Sequence, residues 1–438
     1  MSALSMAPED AGRELGSPSV AALATALNAA LLRAGSTTRV RSLQIVSTRL
    51  SPRRKLVIGA LAECDDPDGR YFQRIGMRFF QPGLSGARHE KALLENPRPA
   101  RAGPGVLHLL SLGGVAWLFP NDRKIRGAAA LADIGEFNAA AAPQINDALR
   151  TSGIRASRIE ILRYVPEQSC TARIALGGAI YTLIGKCASD NRGVRGLAAL
   201  LCARRISKTL CPAPIAYVEQ AHLAIQELIA GAPLPPEEFL NPDSAATRSA
   251  MRRLAELHRA RAPDILPLVD FGGEREAAIE KLAGFESLAA ERALKLLSDH
   301  AAPSPSAARG LLHGDLHFGN VLFEGDRAAL IDFDAAQAGP PEYDVGGFLA
   351  AMMAHAVFIG LDDETLRRAV AGAISAYRDA SGETLSRDLL AWRVGEALIT
   401  ERVARSLTRM KTRPAVSLQA LVDMAARAFN GEMTESAP

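Results

Sequence analysis

The feature that most constrains this chain is a run of polar side chains set between apolar stretches. It lies in residues 311–347, which read LLHGDLHFGNVLFEGDRAALIDFDAAQAGPPEYDVGG. The polar groups are carboxylates, imidazoles and an amide: Asp315, Asp332, Asp334, Asp344, His313, His317 and Asn320. Carboxylates are costly to bury unless a cation or hydrogen bonds compensate them. The segment therefore indicates either ordinary turns or a metal site that performs chemistry.

Two short apolar strands bring part of this set together. A tight loop runs from Asp315 to Asn320 and leads into the strand VLF, and a hairpin then returns through ALI to Asp332. Asn320 and Asp332 should converge where the two strands end. Magnesium prefers oxygen ligands and takes only one or two of them from protein when phosphate and water supply the rest. Asp315 stays on the open side, where it can accept a proton from an attacking hydroxyl, as phosphoryl transfer requires.

Length and composition restrict what the rest of the chain can be. The chain has 438 residues, 48% of them hydrophobic. That suffices for two or three domains of about 100–200 residues each. A formal net charge of +3 is too small to indicate a nucleic-acid partner. The apolar stretch GGFLAAMMAHAVFIGL is short for a bilayer span, so we expect a buried helix and no membrane partner.

The cysteines favour a reducing compartment. Their number is odd and no two of them are spaced as CxxC: Cys64, Cys170, Cys187, Cys202 and Cys211. A disulfide framework or a zinc site is therefore not expected. Free thiols fit a cytoplasmic protein, which is the location that we expect.

The strand and helix patterns divide the chain into three parts. Residues 1–150 predict an N-terminal α+β accessory region, residues 151–232 a β-rich lobe, and residues 233–438 a helical lobe. The stretches IVSTRLSPRRKLVIGALAE…YFQRIGMRFF and ILRYVPEQSCTARIAL…YTLIGKCAS both run strand, proline-containing turn, strand, turn, strand. They are either a duplicated small β unit, the first copy degenerate, or two similar meanders.

Residues 311–347 resemble the catalytic and metal-binding segments of the aminoglycoside phosphotransferase and choline kinase family. The kinase pattern H-R-D-x-x-x-x-N appears as His313-Gly314-Asp315 with Asn320, and the metal Asp of D-F-G as Asp332. The resemblance implies an α+β, protein-kinase-like two-lobed fold, with a small β-rich nucleotide lobe and a larger helical catalytic lobe after the accessory region. It also implies a kinase that uses ATP and Mg²⁺ to phosphorylate a hydroxyl of an aminoglycoside, amino alcohol or sugar.

The family's roles carry over to matching positions of this chain. The resemblance implies that Asp315 is the catalytic base and that Asn320 and Asp332 are magnesium ligands. His313 is expected to support the loop, and Asp344 to brace it, although Asp344 could also simply cap the helix that it opens. Two further roles stay open. Asp334 could hold a second ion or cap the loop, and His317 could contact phosphate or be a solvated loop residue.

The resemblance also predicts the nucleotide site. Lys186, at the end of YTLIGK, falls where the family has the strand lysine that contacts the α- and β-phosphates. The turn VPEQSC either covers the phosphates, with Ser169 and backbone amides as contacts, or is a plain hairpin turn. The backbone around Glu227 to Ile229, in IQELIAG, would bind adenine.

The helix after Lys186 departs from the family's pattern. Kinases pair the strand lysine with a helix glutamate, but VRGLAALLCARRI has no acidic residue. Asp190 precedes this helix and is expected to lie in the connection. Glu90 lies in a comparable helix of the first strand pattern, but that pattern has Arg78 where a lysine would be.

Alternative functions remain open at this stage. The missing glutamate and the glycine-poor turn would also suit a catalytically silent nucleotide-binding or scaffold protein of the same fold. An N-terminal cap is similar to that of maltokinase-type sugar kinases, whose metal loop usually carries Gln where this chain has Asn320. Glu396 and Glu401 could attract a cationic acceptor or be solvated partners of the arginines in TERVARSL. The sequence leaves the acceptor and the oligomeric state undetermined.

Overall fold

The structure is a computed structural model that describes residues 18–51, 55–177, 181–302, 304, 309–410 and 415–434. A first unit, residues 20–118, is a helix followed by a five-stranded antiparallel sheet with strand order β1-β2-β3-β5-β4. Ser19 accepts a hydrogen bond from the Ala22 amide and so caps the opening helix. The elements are α1 (Val20–Arg33), β1 (Arg39–Ser51), β2 (Lys55–Asp66), β3 (Gly69–Phe79), α2 (Ser85–Leu93), β4 (Val106–Leu109) and β5 (Gly114–Leu118).

A second unit, residues 128–227, repeats this arrangement. Its sheet is also antiparallel and has the order β6-β7-β8-β10-β9. Asp133 caps the longer of its two opening helices by accepting a hydrogen bond from the Glu136 amide. The elements are α3 (Ala128–Ala132), α4 (Ile134–Leu149), β6 (Ala156–Val165), β7 (Ser169–Leu176), β8 (Thr182–Ala188), α5 (Arg192–Ile206), β9 (Pro214–Val218) and β10 (Leu223–Glu227).

The two units also agree in details that a common strand order does not require. The edge strands β1 and β6 each have two register shifts with the same spacing, after Val40 and Ile45 in one and after Ala156 and Ile161 in the other. Each strand is tied to the preceding helix by one asparagine amide. Asn28 exchanges two hydrogen bonds with the backbone of Val40, and Asn138 does the same with Ala156.

The first sheet is covered on both faces. Residues 56–60 in the centre of β2 are all buried, although successive side chains of a strand point to opposite faces. One face packs against α1 through Leu23, Leu27 and Leu31, which share a cluster of buried apolar side chains with the sheet. The turn between β6 and β7 covers the other face, so the second unit lies directly against the first.

The rest of the chain forms the helical lobe, into which two small two-stranded sheets are set. The helices are α6 (Ala245–His258), α7 (Phe271–Leu282), α8 (Leu288–Asp299), α9 (Glu342–Ile359), α10 (Asp363–Ser381), α11 (Arg387–Ala397), α12 (Ala404–Thr408) and α13 (Ala415–Phe429). The strands are β11 (Gly310–Leu312), β12 (Val321–Glu324), β13 (Arg327–Leu330) and β14 (Gln337–Gly339), paired as β11-β14 and β12-β13. Three polar residues of the segment 311–347 lie beside the ends of these strands: His313 follows β11, Asn320 precedes β12 and Asp332 lies just after β13.

The architecture confirms the expected two-lobed α+β fold, with a β-rich small lobe, a helical lobe and a further α+β region before them. The apolar stretch in α9 is a buried helix, as expected, with most of its residues inaccessible. No helix in the described ranges is long and apolar enough to cross a membrane. All five cysteines are free thiols.

Candidate active site

The catalytic loop is held in place by one buried carboxylate at the start of α9. Asp344 is 2% exposed and accepts hydrogen bonds from the backbone amides of His313 (2.6 Å) and Gly314 (2.8 Å). His258 Nε2 lies 3.1 Å from the same carboxylate. Burial alone would raise the pKa of Asp344, but the contact with His258 and the loop amides lowers it below its usual value. Asp344 therefore stays ionised and fixes the loop, which is the bracing position expected from the sequence.

The loop that follows presents Asp315 on its open side. His313 is fully buried, and its Nε2 lies 2.8 Å from the carbonyl oxygen of Ile331. Asn320 donates from its amide Nδ2 to the carbonyl oxygen of Asp315 at 2.9 Å, and this leaves its Oδ1 for another contact. The Asp315 side chain is 32% exposed. His313 is thus a support within the loop, and Asp315 is its accessible carboxylate.

Lys186 reaches across from β8 to the loop after β13. Its Nζ lies 2.6 Å from Oδ1 of Asp332 and 3.6 Å from Oδ1 of Asp334. Burial would lower the pKa of Lys186, but the two carboxylates raise it above its usual value. The lysine is therefore charged, and two aspartates hold it in place of the helix glutamate that kinases use.

Helix α5 packs close to the loop after β13. A Cβ placed on Gly196 would lie 3.3 Å from the carbonyl oxygen of Phe333 and 3.6 Å from Oδ1 of Asp334. Asp190 lies just before α5 and binds Arg192, so it is not the partner of Lys186.

The oxygen groups beside Lys186 suit a magnesium ion. Asp332 adopts a left-handed backbone conformation (φ 68°), which turns it toward Lys186 and away from the strand. Burial would raise its pKa, but Lys186 lowers it, whereas burial and the neighbouring Asp332 charge raise the pKa of Asp334. Among the described residues, no three His, Cys, Asp or Glu side chains form a metal-binding group. The set Asn320 and Asp332 fits a metal that takes few protein ligands and completes its shell with phosphate and water.

The remaining predicted nucleotide residues line the second sheet. Ser169 is the first residue of β7, directly after the turn at residues 166–168, and it pairs with Ala188, which lies two residues after Lys186 on β8. Glu227 ends β10, where its backbone amide donates to the carbonyl oxygen of Ala213 at 2.8 Å. Ile229 lies just beyond. β10 is the neighbour of β8, and Glu227 pairs there with Leu183, three residues before Lys186.

A large cleft opens beside the catalytic loop. Its volume is about 1480 Å³, and its walls are residues 45–51 of β1, the turn before β7, α7 and α12. Gly314 and Ala335 line it next to Asp315. Small-molecule pockets commonly measure about 300–1,000 Å³, so the cleft exceeds what one compact ligand needs. The first unit therefore contributes a wall of the cleft that borders the loop carrying Asp315.

Arg405, on α12 of the helical lobe, contacts Asp315. Both of its terminal nitrogens lie 3.3 Å from Oδ1 of Asp315. Burial would lower the pKa of Arg405, but Asp315 and Glu401 raise it. The helix reaches Asp315 through a π-helical turn, Leu398–Val403, a wide turn that is often found at functional sites. Arg409 and Arg163 line the same cleft, and burial together with the charge of Arg405 lowers the pKa of Arg409.

The structure shows the partners of His317, Glu396 and Glu401. His317 Nδ1 accepts a hydrogen bond from the Gly319 amide at 3.1 Å, and burial lowers the pKa of the imidazole. Glu396 and Glu401 pair with arginine as expected, but the arginine is Arg393, and the expected solvated position was wrong. Arg393 and Glu396 are each 1% exposed.

The sequence prediction missed Arg405 and Arg393. TERVARSL suggested solvated arginines, and its apolar spacing gives no sign that a π-helical turn rotates Arg405 toward Asp315. Arg393 lies in the buried helix α11, between Leu390 and Val394. A charged residue amid an apolar run is the one signal that could have identified it, since buried arginines are rare unless they are paired.

Several solved structures are similar to this chain. They include a spectinomycin phosphotransferase in complex with ADP and spectinomycin (14% identity, TM-score 0.43, 64% of this chain and 95% of that chain). A choline/ethanolamine kinase family protein from Mesorhizobium loti gives 15% identity, a TM-score of 0.43, and coverage of 69% of this chain and 98% of that chain. A macrolide 2′-phosphotransferase from Brachybacterium faecium gives 18% identity, a TM-score of 0.41, and coverage of 65% of this chain and 97% of that chain.

A family model gives the sequence-level comparison. It is the APH model, described as a phosphotransferase enzyme family, and it matches residues 188–382, somewhat less than half of the chain. The matched range contains the catalytic loop with Asp315, the Asn320 and Asp332 pair, and Asp344. It ends before Arg405 and begins two residues after Lys186. Residues 188–382 thus match the phosphotransferase enzyme family, and this confirms the resemblance that the segment from 311 to 347 indicates.

Proposed function

We propose that the protein is an ATP- and Mg²⁺-dependent phosphotransferase that moves the γ-phosphate to a hydroxyl of a small molecule. One observation supports this most directly. Lys186 contacts Asp332, and Asn320 holds the backbone of Asp315, in two loops that lie beside the cleft. Phosphoryl transfer needs a cation for the phosphates, oxygen ligands for a metal and a base for the hydroxyl, close together.

Each residue has a defined task in this proposal. Magnesium, held through Asn320 Oδ1 and the carboxylate of Asp332, would neutralise charge on the phosphates. Lys186 binds the α- and β-phosphates from the strand side. Oδ1 of Asp315 accepts hydrogen bonds from Arg405, so Oδ2 is the atom that takes the proton of the incoming hydroxyl. Ser169 and the backbone at Glu227 and Ile229 hold the phosphates and the adenine.

The acceptor would enter through the cleft between β1 and the helical lobe. Its surface combines carboxylates on α7, such as Glu274, with arginines close to Asp315, such as Arg409. The acceptor class remains aminoglycoside, amino alcohol or sugar. The presence of Asn320 in the metal loop argues against a maltokinase-type enzyme within this range.

The test is a transfer assay with Asp315→Asn. Purified protein with Mg²⁺ and γ-labelled ATP should phosphorylate at least one member of a panel of aminoglycosides, amino alcohols and sugars. Asp315→Asn should lower kcat by about 10²–10⁴-fold, the usual contribution of a positioned base. Asp326→Asn, in the exposed turn of the β12–β13 hairpin, is the matched control. Undiminished transfer by Asp315→Asn would remove the base assignment.

A silent nucleotide-binding protein is the second candidate. The observation that favours it is the salt bridge of Lys186 with Asp332, in which the phosphate cation and a metal ligand satisfy each other. Such a protein would be stabilised against heat by ATP with Mg²⁺ and would turn over no hydroxyl compound. Transfer to any acceptor, lost in Asp315→Asn, excludes it.

A further inference from the structure

The turn between β6 and β7 is embedded in the first unit. Pro166 lies over two glycines of the first sheet. A Cβ on Gly59 would come within 2.8 Å of the Pro166 ring, and one on Gly76 within 3.0 Å. The adjacent Tyr164 donates its hydroxyl to Oδ2 of Asp122 at 2.7 Å. The turn that would cover the nucleotide phosphates is therefore packed against a second sheet along its outer side.

Glu167, at the tip of this turn, points away from the second unit and into the first. Its backbone is left-handed (φ 61°), and its amide donates to Asp122 Oδ2 at 2.9 Å. Its side chain is 4% exposed and lies within reach of three guanidinium groups: Arg123 at 2.9 Å, Arg78 at 3.0 Å and Arg49 at 3.4 Å. Burial would raise the pKa of Glu167, but the arginines lower it to about 2. The carboxylate is thus charged and fully compensated.

The register shows that Arg78 and Lys186 are equivalent positions of the two units. β5 and β10 each begin directly after a 3₁₀ turn and a left-handed residue, so Gly114 corresponds to Leu223. Arg78 pairs with the residue after Gly114, and Lys186 pairs with the residue after Leu223. Arg78 lies one residue before Phe79, the partner of Gly114, and Lys186 lies one residue before Cys187, the partner of Leu223. The side chain that holds Glu167 therefore occupies the place of the nucleotide lysine.

We propose that the first unit is a second copy of the nucleotide-binding unit whose lysine position, now Arg78, holds the phosphate-covering turn through Glu167. The nucleotide role of this turn rests on the proposed function, whereas the hold itself does not. Glu167 acts as a positioning residue, because its side chain points away from the nucleotide side. Phosphate-covering loops built from glycines owe their shape to backbone freedom. This turn contains no glycine, and the first unit fixes its shape instead.

The proposal also explains the chemistry of the first unit. Removing either the buried carboxylate or one of its arginines would leave an uncompensated buried charge and strongly destabilise the fold. Glu167 and its arginines therefore depend on one another. Since Arg78 is bound to Glu167, the first unit cannot use this position for the phosphates of a second nucleotide. One nucleotide site per chain, in the second unit, is the consequence.

The experiment compares Glu167→Gln with Glu160→Gln in the full chain. Glu160 lies on the same hairpin, is 47% exposed and has its carboxylate 3.6 Å from the exposed Arg173, so it is the matched control. Amide hydrogen exchange of residues 167 and 168 reports opening of the turn, because their amides donate to Asp122 and to the Val165 carbonyl. Kinetics with ATP and equilibrium binding of ATP and adenosine report its effect on the phosphates.

Glu167→Gln should speed exchange at both amides by about tenfold or more, and raise KM for ATP by a similar factor while kcat changes less than about threefold; tenfold corresponds to about 1.4 kcal/mol. ATP affinity should fall and adenosine affinity should not, because only ATP has phosphates under the turn. Glu160→Gln should change none of these quantities. If Glu167→Gln does not fold, Arg123→Gln, which leaves two of the three arginines, is read in the same way.

Each outcome decides one part of the proposal. Unchanged exchange in Glu167→Gln overturns the hold on the turn. Faster exchange with unchanged KM and unchanged ATP affinity overturns the positioning role and leaves the first unit as packing only. If the wild-type protein binds no ATP, the proposed function fails, and the exchange measurement still decides whether Glu167 holds the turn.

Discussion

Lys186 Nζ lies 2.6 Å from Oδ1 of Asp332, and this salt bridge joins the second sheet to the helical lobe. The lysine belongs to β8 and the aspartate to the loop after β13. Asp334 Oδ1, at 3.6 Å, adds a second carboxylate. The group expected to hold phosphate thus keeps two like charges together at the place where the lobes meet.

Replacing Lys186 by Gln should impair both nucleotide use and the meeting of the lobes. We expect kcat/KM for ATP to fall roughly 100-fold, about 3 kcal/mol of transition-state stabilisation, because the phosphates lose their strand cation and the two aspartates repel each other. Steady-state kinetics and ATP titration calorimetry measure this. Lys295→Gln is the control, since Lys295 is 75% exposed and pairs with the half-exposed Asp299 on its own helix. Equal effects of the two variants would remove Lys186 from the nucleotide site.

The sequence predicted those parts of the site that depend on short spacing. Asp315, Asn320 and Asp332 lie within one loop and one hairpin, so local strand and turn patterns were enough to bring them together. Asp344 follows soon after and opens the next helix. Their chemistry was readable because carboxylates and an amide between apolar strands demand compensation.

The parts that were missed depend on contacts between distant segments. Arg405 meets Asp315 only because a π-helical turn rotates its helix, and nothing in the local pattern predicts such a turn. The sequence of the turn gives no sign of the contacts of Glu167, because its arginines come from β1, β3 and the connection before α3. Strand patterns alone also left open whether the two units are copies. The equal spacing of the register shifts in β1 and β6, and the matching hydrogen bonds of Asn28 and Asn138, favour copies.

The catalytic loop should depend on a glycine at position 314. Gly314 has φ +82°, and a Cβ there would lie 1.9 Å from the carbonyl oxygen of Ala335. Gly314→Ala should therefore displace the loop and lower both transfer and stability by well over the roughly 1–2 kcal/mol that a left-handed residue costs by itself. Gly325→Ala is the matched control, because Gly325 has φ +58° and no atom within 4 Å of the added Cβ. Thermal unfolding and transfer assays of both variants measure the difference; similar losses would mean that contact with Ala335 does not matter.

Asp344→Asn should unfix the catalytic loop and destabilise the fold. Asp344 is buried and charged, and its partners are His258 and the amides of His313 and Gly314. Loss of one member of a buried charged pair costs about 3–5 kcal/mol. The pKa of Asp344 is lowered by folding. Its stabilisation is therefore fully present above the unfolded pKa of about 3.9 and declines as the pH falls through the lower folded value.

Urea unfolding of Asp344→Asn and wild type from pH 8 to pH 4 tests this prediction. The difference in free energy of unfolding should be constant over most of this range and begin to shrink only near its acidic end. Asp326→Asn, in an exposed turn, should match the wild type throughout. A difference that grows as the pH falls would show that Asp344 is protonated in the folded protein.

Glu396 should give the opposite pH dependence. Burial raises its pKa to about 7 although Arg393 favours the charged form, and within the described part of the chain its Oε1 has no hydrogen-bond partner. The folded protein therefore holds a proton on Glu396 that the unfolded chain loses near pH 4.3. Stability should fall as the pH rises between these two values, by up to about 3–4 kcal/mol at 1.36 kcal/mol per pH unit.

Glu396→Gln carries no titrating group and should not show this decline. The free energy of unfolding is measured in urea at pH 5, 6, 7 and 8. From pH 5 to pH 8, that of the wild type should fall by about 2–3 kcal/mol relative to that of Glu396→Gln. Glu364→Gln, on α10 with a side chain 77% exposed, should run parallel to the wild type. Parallel curves for Glu396→Gln and the wild type would show that Glu396 ionises in the folded protein as readily as in the unfolded chain.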